Sequence, residues 1–140
     1  MRDLAGGGLE HLSLNWATVR EKWDLGQTIE GCVRHGIPGI APWREPVQAM
    51  GVEAAGRRIR DAGLRVSGYC RAGLFPAADA AGRRAAIDDT RRAIDEAAAI
   101  GAECLVILGG GMPPGSKDLA RARGQARDGL AAVLPHARER

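Results

Sequence analysis

The sequence predicts an α/β protein, four βα units in succession around a parallel sheet, and three observations carry that reading. Short apolar segments at residues 11–15, 39–43, 64–70 and 103–108 alternate with longer segments whose apolar residues recur at helical spacing. The first three helical segments each stop at a glycine, Gly36, Gly63 or Gly101, directly before the next strand. The last strand, Glu103-Cys-Leu-Val-Ile-Leu108, is a nearly unbroken apolar run of the kind buried on both faces of a parallel sheet. Repeated units of this kind close with right-handed crossovers.

The first strand, residues 11–15, is short and alternating and runs into Trp16. Its helix, from about Asp24, carries Leu25, Ile29, Cys32 and Val33 on one face at i, i+4, i+7, i+8. The second strand contains Pro42, which cannot donate a ladder hydrogen bond and so belongs near the strand's end. The helix after it presents Val52, Ala55, Ile59 and Ala62 inward. The third strand opens into Ser67-Gly-Tyr-Cys-Arg-Ala-Gly-Leu-Phe75. A long helix then covers about residues 81–100, with Ile87, Ile94, Ala97 and Ala98 as its buried stripe. On its outer side Asp88 with Arg92, and Arg92 with Glu96, are spaced to pair. After the fourth strand and the loop at 109–115, a last helix from about Lys117 turns Ala126, Leu130, Val133 and Ala137 inward. No linker or domain boundary interrupts the series. A complete (β/α)8 barrel takes about 250 residues, and the 140 residues here supply four units, a half-barrel.

Composition excludes several classes of function. The net charge of +3 and pI near 9.1 come from a small basic excess, with most charges on helices beside acidic neighbours. That describes a solvated surface and excludes a nucleic-acid stripe. Cys32, Cys70 and Cys104 lack the close pairing of a zinc or redox motif, which predicts reduced thiols in a cytosolic protein. The polar, glycine-rich residues 1–8 lack the apolar run of a signal peptide, and no apolar segment approaches the ~20 residues that span a bilayer. The expectation is a cytoplasmic protein with neither membrane nor nucleic acid as partner.

Candidate functional residues gather where strands end, the edge at which parallel α/β proteins present ligand sites. Asn15-Trp16, Trp43-Arg44-Glu45, Tyr69-Cys70-Arg71 and Gly109-Gly-Gly111 all stand there. The loop Gly109-Gly-Gly-Met-Pro-Pro-Gly-Ser-Lys117 invites a P-loop reading and fails it. Ser116 precedes Lys117 where the motif needs Gly-Lys before Ser or Thr, and Pro113 and Pro114 remove backbone donors. Ser116 as N-cap with Lys117 beside it can favour an anion, or it can be an ordinary capped βα connection. Trp43, Arg44 and Glu45 can serve as aromatic wall, clamp and carboxylate, or as core packing with a surface ion pair. Cys70 as a nucleophile would need a thiol pKa depressed by Arg71; an inert buried thiol is the plainer reading. His11, His35 and His136 are scattered and none reads as a ligand.

Taken together, Leu14-Asn15-Trp16, Ala41-Pro-Trp-Arg-Glu45, Tyr69-Cys-Arg-Ala-Gly-Leu-Phe75, and Val106-Ile-Leu-Gly-Gly-Gly with Gly115-Ser-Lys-Asp-Leu-Ala120 resemble the N-terminal half of the sugar phosphate isomerase/epimerase family. That is the xylose isomerase-like branch of the TIM barrels, and the resemblance spans about residues 12–138. It implies a divalent-metal-dependent enzyme that isomerises or epimerises a keto sugar, polyol or related hydroxy-carbonyl substrate by moving a proton beside a carbonyl. In the family the metal ligands and the acid/base pair come mainly from the second half of the barrel. The positions carried over are therefore substrate-binding ones: Asn15, Trp43, Arg44, Glu45, Cys70, Arg71, Phe75, Ser116 and Lys117. The strand ends here offer no set of two or three carboxylates with a histidine, so no metal is expected on this chain alone, and alone it is expected to be inactive. Its sheet edges favour a second half-barrel or a second copy as partner. Two further readings stay open: a non-catalytic half-barrel acting as an assembly or ligand-binding module, and a dehydratase acting on an inositol-derived ketone. An endonuclease IV-like repair enzyme is set aside, lacking a histidine-rich zinc cluster and a basic DNA face.

Overall fold

Alternating strand and helix propensity becomes five strands and five helices in the computed structural model, which describes residues 8–140. The rest of the glycine-rich start, residues 1–7, lies outside the described residues. β1 (Ser13–Asn15), β2 (Gly39–Ala41) and β3 (Arg65–Val66) form a parallel sheet in that order, with Ser13 opposite Gly39 and Gly39 opposite Arg65. β4 (Tyr69–Gly73) pairs with β5 (Leu105–Leu108). Between them run α1 (Leu25–Arg34), α2 (Arg44–Met50), α3 (Val52–Asp61), α4 (Ala80–Ala99) and α5 (Leu119–Arg138). These are four βα units of a (β/α)8-type barrel. The chain packs as two compact units, one running up to Cys70 with Ala97–Cys104, the other comprising Arg71–Glu96 and Leu105–Arg140.

Two expected elements are each divided. The third strand is divided into β3 and β4 with Ser67 and Gly68 between them, although the segment keeps the same two neighbours throughout. The Ser67 and Cys70 N–H groups donate to the Ile40 (3.0 Å) and Pro42 (3.1 Å) carbonyls, while on the other side the Glu103 N–H donates to Val66 and the Tyr69 N–H to Cys104, both at 2.9 Å. The second helix breaks into α2 and α3 at Gly51, whose φ of 88° no helix accommodates.

Helix ends follow local chemistry. Asp24 and Gln27 form a reciprocal capping box at α1: Asp24 Oδ1 accepts from the Gln27 N–H (2.8 Å) and Gln27 Oε1 from the Asp24 N–H (3.0 Å). Asp79 Oδ1 accepts from Gly82 N–H (2.7 Å) at the start of α4. At α5 the cap is Asp118, which accepts from Arg121 N–H (2.9 Å), and not Ser116; the Ser116 hydroxyl instead accepts from the Asp118 N–H (3.2 Å). The three helix-ending glycines all adopt left-handed φ, 65° at Gly36, 69° at Gly63 and 70° at Gly101. Each makes the same paired closure. Ile37, Leu64 and Ala102 donate back to the carbonyls of Cys32, Ile59 and Ala97, while the glycines donate to Val33, Arg60 and Ala98.

In the first unit Leu25, Ile29 and Cys32 of α1, Ile40 of β2, Val47 of α2 and Ala55 and Ile59 of α3 are buried. Val33 falls on the flank of the α1 stripe and is 54% exposed, contrary to its inward assignment. Val52 and Ala62 are half-buried. The second unit is built on Phe75, Ile94 and Val133, with Ala86, Ile87, Leu105 and Ile107 packed around them. The α4 stripe is Thr90, Ala93, Ile94 and Ala97, while Ala98 is exposed. Buried Thr90 is satisfied, its hydroxyl donating to Ala86 O (2.8 Å) and accepting from Gly73 N–H (3.1 Å), which ties the end of β4 to α4. The outer side of α4 carries the pairs Asp88–Arg91 (3.3 Å) and Asp89–Arg92 (3.1 Å), both at i,i+3 spacing.

The stripe of α5 also differs from expectation. Ala122, Gly129 and Val133 are buried, whereas Leu130 and Ala137 are exposed and Ala126 is half-buried. Gly129 sets this rotation, because any methyl group there would overlap the Phe75 ring, itself 1% exposed. β5 is covered on one side, with Val106 and Leu108 facing out at 37% and 36% exposure.

Gly129→Ala is therefore expected to destabilise the protein by about 1–3 kcal/mol from overpacking, reduced by up to about 1 kcal/mol of helix propensity. Denaturant titration would show the midpoint fall, whereas a control Gly124→Ala, where an added Cβ meets nothing within 4 Å, should hold or raise it. A second outcome concerns Asp95, which accepts from Arg140 Nε (2.6 Å) and lies 2.9 Å from His136 Nε2. The Arg140 hydrogen bond, aided by His136, holds the Asp95 carboxyl below the ordinary carboxylate range. A depressed folded-state pKa contributes stability above the unfolded pKa and loses it as pH falls through the folded value. Asp95→Asn should thus cost less than about 1 kcal/mol at neutral pH, as exposed pairs do, and the difference should vanish in strongly acidic solution.

Candidate functional site

In the first unit the C-terminal ends of adjacent strands draw three of the expected residues together. β1 ends at Asn15, whose extended backbone (φ −77°, ψ 121°) leads into a single 3-10 turn, Trp16–Thr18. Its amide oxygen accepts from the Ala17 N–H (3.0 Å) and from the Trp43 indole Nε1–H (3.0 Å). Trp43, just past β2, forms a parallel bridge with Cys70, and the Cys70 N–H donates to the Pro42 carbonyl (3.1 Å). Trp16 stands beside Trp43, ring centroids 6.5 Å apart and planes at 52°, and is held by its own indole bond to the Trp23 carbonyl (3.2 Å). Asn15, Trp43 and Cys70 thus converge, and the paired indoles supply an apolar wall. Such a wall beside an amide suits the C–H face of a polyhydroxylated ligand.

Arg44 and Glu45 belong to the first turn of α2, where the Glu45 charge complements the helix N-terminus. Trp43 is the cap residue of that helix.

The second unit holds the other four. Arg71 lies in β4 and is exposed. Phe75 is a core residue; its ring also borders a cleft of about 120 Å³ with Arg83, Ile87 and Gln125. Ser116 is half-buried and lines a cleft of about 250 Å³ between residues 77–78, the loop after β5 and the start of α5. Lys117 is exposed. Gln125 shapes that cleft by gripping the Ala77 backbone twice, accepting from its N–H and donating to its carbonyl, both at 3.2 Å. No sequence signal announced Gln125, since its partner lies 48 positions away. Arg121 lines the same cleft.

The thiols differ in environment: Cys32 is buried and burial pushes its pKa up, Cys70 is half-buried, and Cys104 is exposed. Among the described residues no group of three or more His, Cys, Asp or Glu is placed to hold a metal ion. No helix among them is long and apolar enough to cross a membrane.

Parallel βα units whose polar and aromatic side chains collect at the strand ends define the class as a (β/α)8-barrel-type protein. The model of the xylose isomerase-like TIM barrel family matches residues 29–140, and the chain belongs to that family. A solved protein of Sinorhizobium meliloti is 53% identical, with a TM-score of 0.91 over 94% of this chain and 48% of its own. A D-psicose 3-epimerase solved with D-fructose is similar in fold at 16% identity, with a TM-score of 0.69 over 89% of this chain and 45% of its own. So is a protein of Rhodospirillum rubrum provisionally assigned as a xylose isomerase, at 18% identity and TM-score 0.71, over 91% of this chain and 50% of its own. No curated protein matches the chain in sequence. The chain spans about half the length of the solved proteins it matches.

Alkylation with iodoacetamide followed by peptide mass mapping should modify Cys104 first and leave Cys32 unmodified until denaturant is added, since a buried thiol kept protonated is a poor nucleophile. Early modification of Cys32 would contradict its placement.

Proposed function

We propose that this chain is the first four βα units of a sugar isomerase/epimerase barrel, cytoplasmic, acting on a keto sugar or polyol-derived hydroxy-carbonyl compound. The observation that carries the reading is the family match over residues 29–140 combined with the convergence of Asn15, Trp43 and Cys70 at strand ends. Catalysis in the completed barrel is proton removal beside a carbonyl and its return elsewhere. In the first unit the Trp16–Trp43 wall would orient the carbon skeleton, with Arg44 and Glu45 as proposed polar contacts to oxygen substituents; in the second unit Arg71, Ser116 and Lys117 are proposed, separately, as substrate-binding residues. A divalent metal does not fit the residues present, because no donor set of three is assembled among those described. No step is therefore assigned to it, and the 140-residue chain alone is proposed to be inactive. The missing donors equally fit a second reading, a non-catalytic half-barrel that binds a ligand or another half-barrel.

The deciding experiment isolates the intact protein from its own cells, compares its mass with 14.8 kDa, and incubates it with ketohexoses and Mn²⁺ in D₂O. A mass about twice that of this chain, in keeping with a barrel of about 250 residues, with deuterium appearing beside the carbonyl, is expected. A 14.8 kDa protein that binds ketoses without exchange would establish the second reading. An intact protein that neither exchanges nor binds them overturns both.

A further inference from the structure

Asn15 ends β1 at the ligand edge with its side chain exposed, and the groups it meets orient its amide. Its Oδ1 receives two N–H groups, the Ala17 backbone and the Trp43 indole, each at 3.0 Å. A backbone amide and an indole nitrogen only donate, so the carboxamide atom that meets both is the oxygen. The amide nitrogen therefore turns the other way. With both lone pairs of the oxygen occupied, the two Nδ2–H donors have no partner among the described residues. The backbone is pinned as well, since the Thr18 hydroxyl donates to the Asn15 carbonyl at 2.7 Å. All of these groups belong to the first unit.

Holding the turn after β1 does not account for this arrangement. An aspartate would accept from the Ala17 N–H equally well. Trp43, 28 positions away, adds a second donor from the neighbouring strand's end and reinforces one of the two amide orientations. What asparagine supplies and aspartate lacks is a donor facing outward. A group that only donates is matched by an atom that only accepts. In a hydroxy-carbonyl ligand the carbonyl oxygen is that atom, whereas a hydroxyl must first turn its own proton elsewhere.

We infer that Asn15 donates to the carbonyl oxygen of the ligand as a specificity-determining contact, and that Trp43 is its positioning residue through the indole N–H. The inference rests on the keto-sugar reading proposed above and assigns a contact to one atom of that ligand.

The test measures Kd by calorimetry for a ketohexose and for the matching hexitol, which carries a hydroxyl in place of the carbonyl. The intact parent protein is compared with Asn15→Asp and Trp43→Phe. Asn15→Asp keeps both internal acceptor bonds, so its denaturation midpoint should hold. It turns an acceptor toward the carbonyl, and the ratio of ketose to hexitol affinity should fall by about tenfold or more, because the hexitol hydroxyl can donate to the new carboxylate. Trp43→Phe keeps an aromatic wall without the N–H and should lower the same ratio by about threefold. An unchanged ratio in either variant overturns the role assigned to that residue and leaves the proposed function standing. A parent that binds no ketose overturns the proposed function and this inference with it.

Discussion

The way each helix is ended governs everything at the strand ends. Gly36, Gly63 and Gly101 hold left-handed backbones that only glycine adopts without strain. Each allows the residue after it to bond back to the last turn of its helix. Because the closure is the same three times, each following segment leaves its helix on the same course. The segments after Gly36 and Gly63 become β2 and β3, which pair in parallel with Gly39 opposite Arg65, and β1 joins β2 with Ser13 opposite Gly39. With the starts aligned, Asn15 and Trp43 reach the same level at the other end, close enough for a 3.0 Å hydrogen bond. A constraint at one edge of the sheet thus builds the candidate site at the opposite edge.

That chain of cause explains what could be read from residues alone. The βα order and the glycine stops were legible because both are local: they depend on spacing within about ten residues and on the conformational freedom of one residue type. Errors arose where a distant partner decides. Hydrophobicity places the α5 stripe through Leu130, yet the helix is turned by Phe75, which leaves room only for Gly129. Hydrophobic periodicity cannot see that a missing side chain is the point of contact. Residues 64–70, by contrast, read as one strand and keep the same neighbours along their length, with Ser67 and Cys70 bonding to Ile40 and Pro42 on one side and Tyr69 to Cys104 on the other.

Of the candidate site, the strand-end position of Asn15, Trp43 and Cys70 is legible in the sequence, since the fold class alone predicts that edge as the ligand edge, whereas the 3.0 Å bond that joins Asn15 to Trp43 is not. Phe75 was assigned to the same edge by the same logic and stands in the core. Its neighbour Leu74 carries the exposure that the Gly73-Leu74-Phe75-Pro76 sequence leaves open. A glycine two residues ahead of an aromatic–proline pair implies a sharp turn, and the sharp turn decides which of the two adjacent apolar residues, Leu74 or Phe75, goes inside. The aromatic residue has the larger apolar surface to bury, so it takes the core position and leaves the leucine outside.

β5 supports the half-barrel proposal by an independent route. Its sequence is apolar at every position from Leu105 to Leu108, the pattern of a strand covered on both faces. The structure covers Leu105 and Ile107 against the Phe75 cluster and leaves Val106 and Leu108 more than a third exposed. Leu119, Leu130 and Leu134 of the following helix are exposed as well, at 51%, 39% and 47%. A strand and helix that needed to face water on these sides would carry polar residues there, as the outer side of α4 does with its aspartate and arginine pairs. The last βα unit therefore carries more apolar surface than the described residues cover. The solved proteins it matches are about twice as long, and this excess of apolar surface favours the reading of the chain as part of a barrel over that of a unit complete in itself.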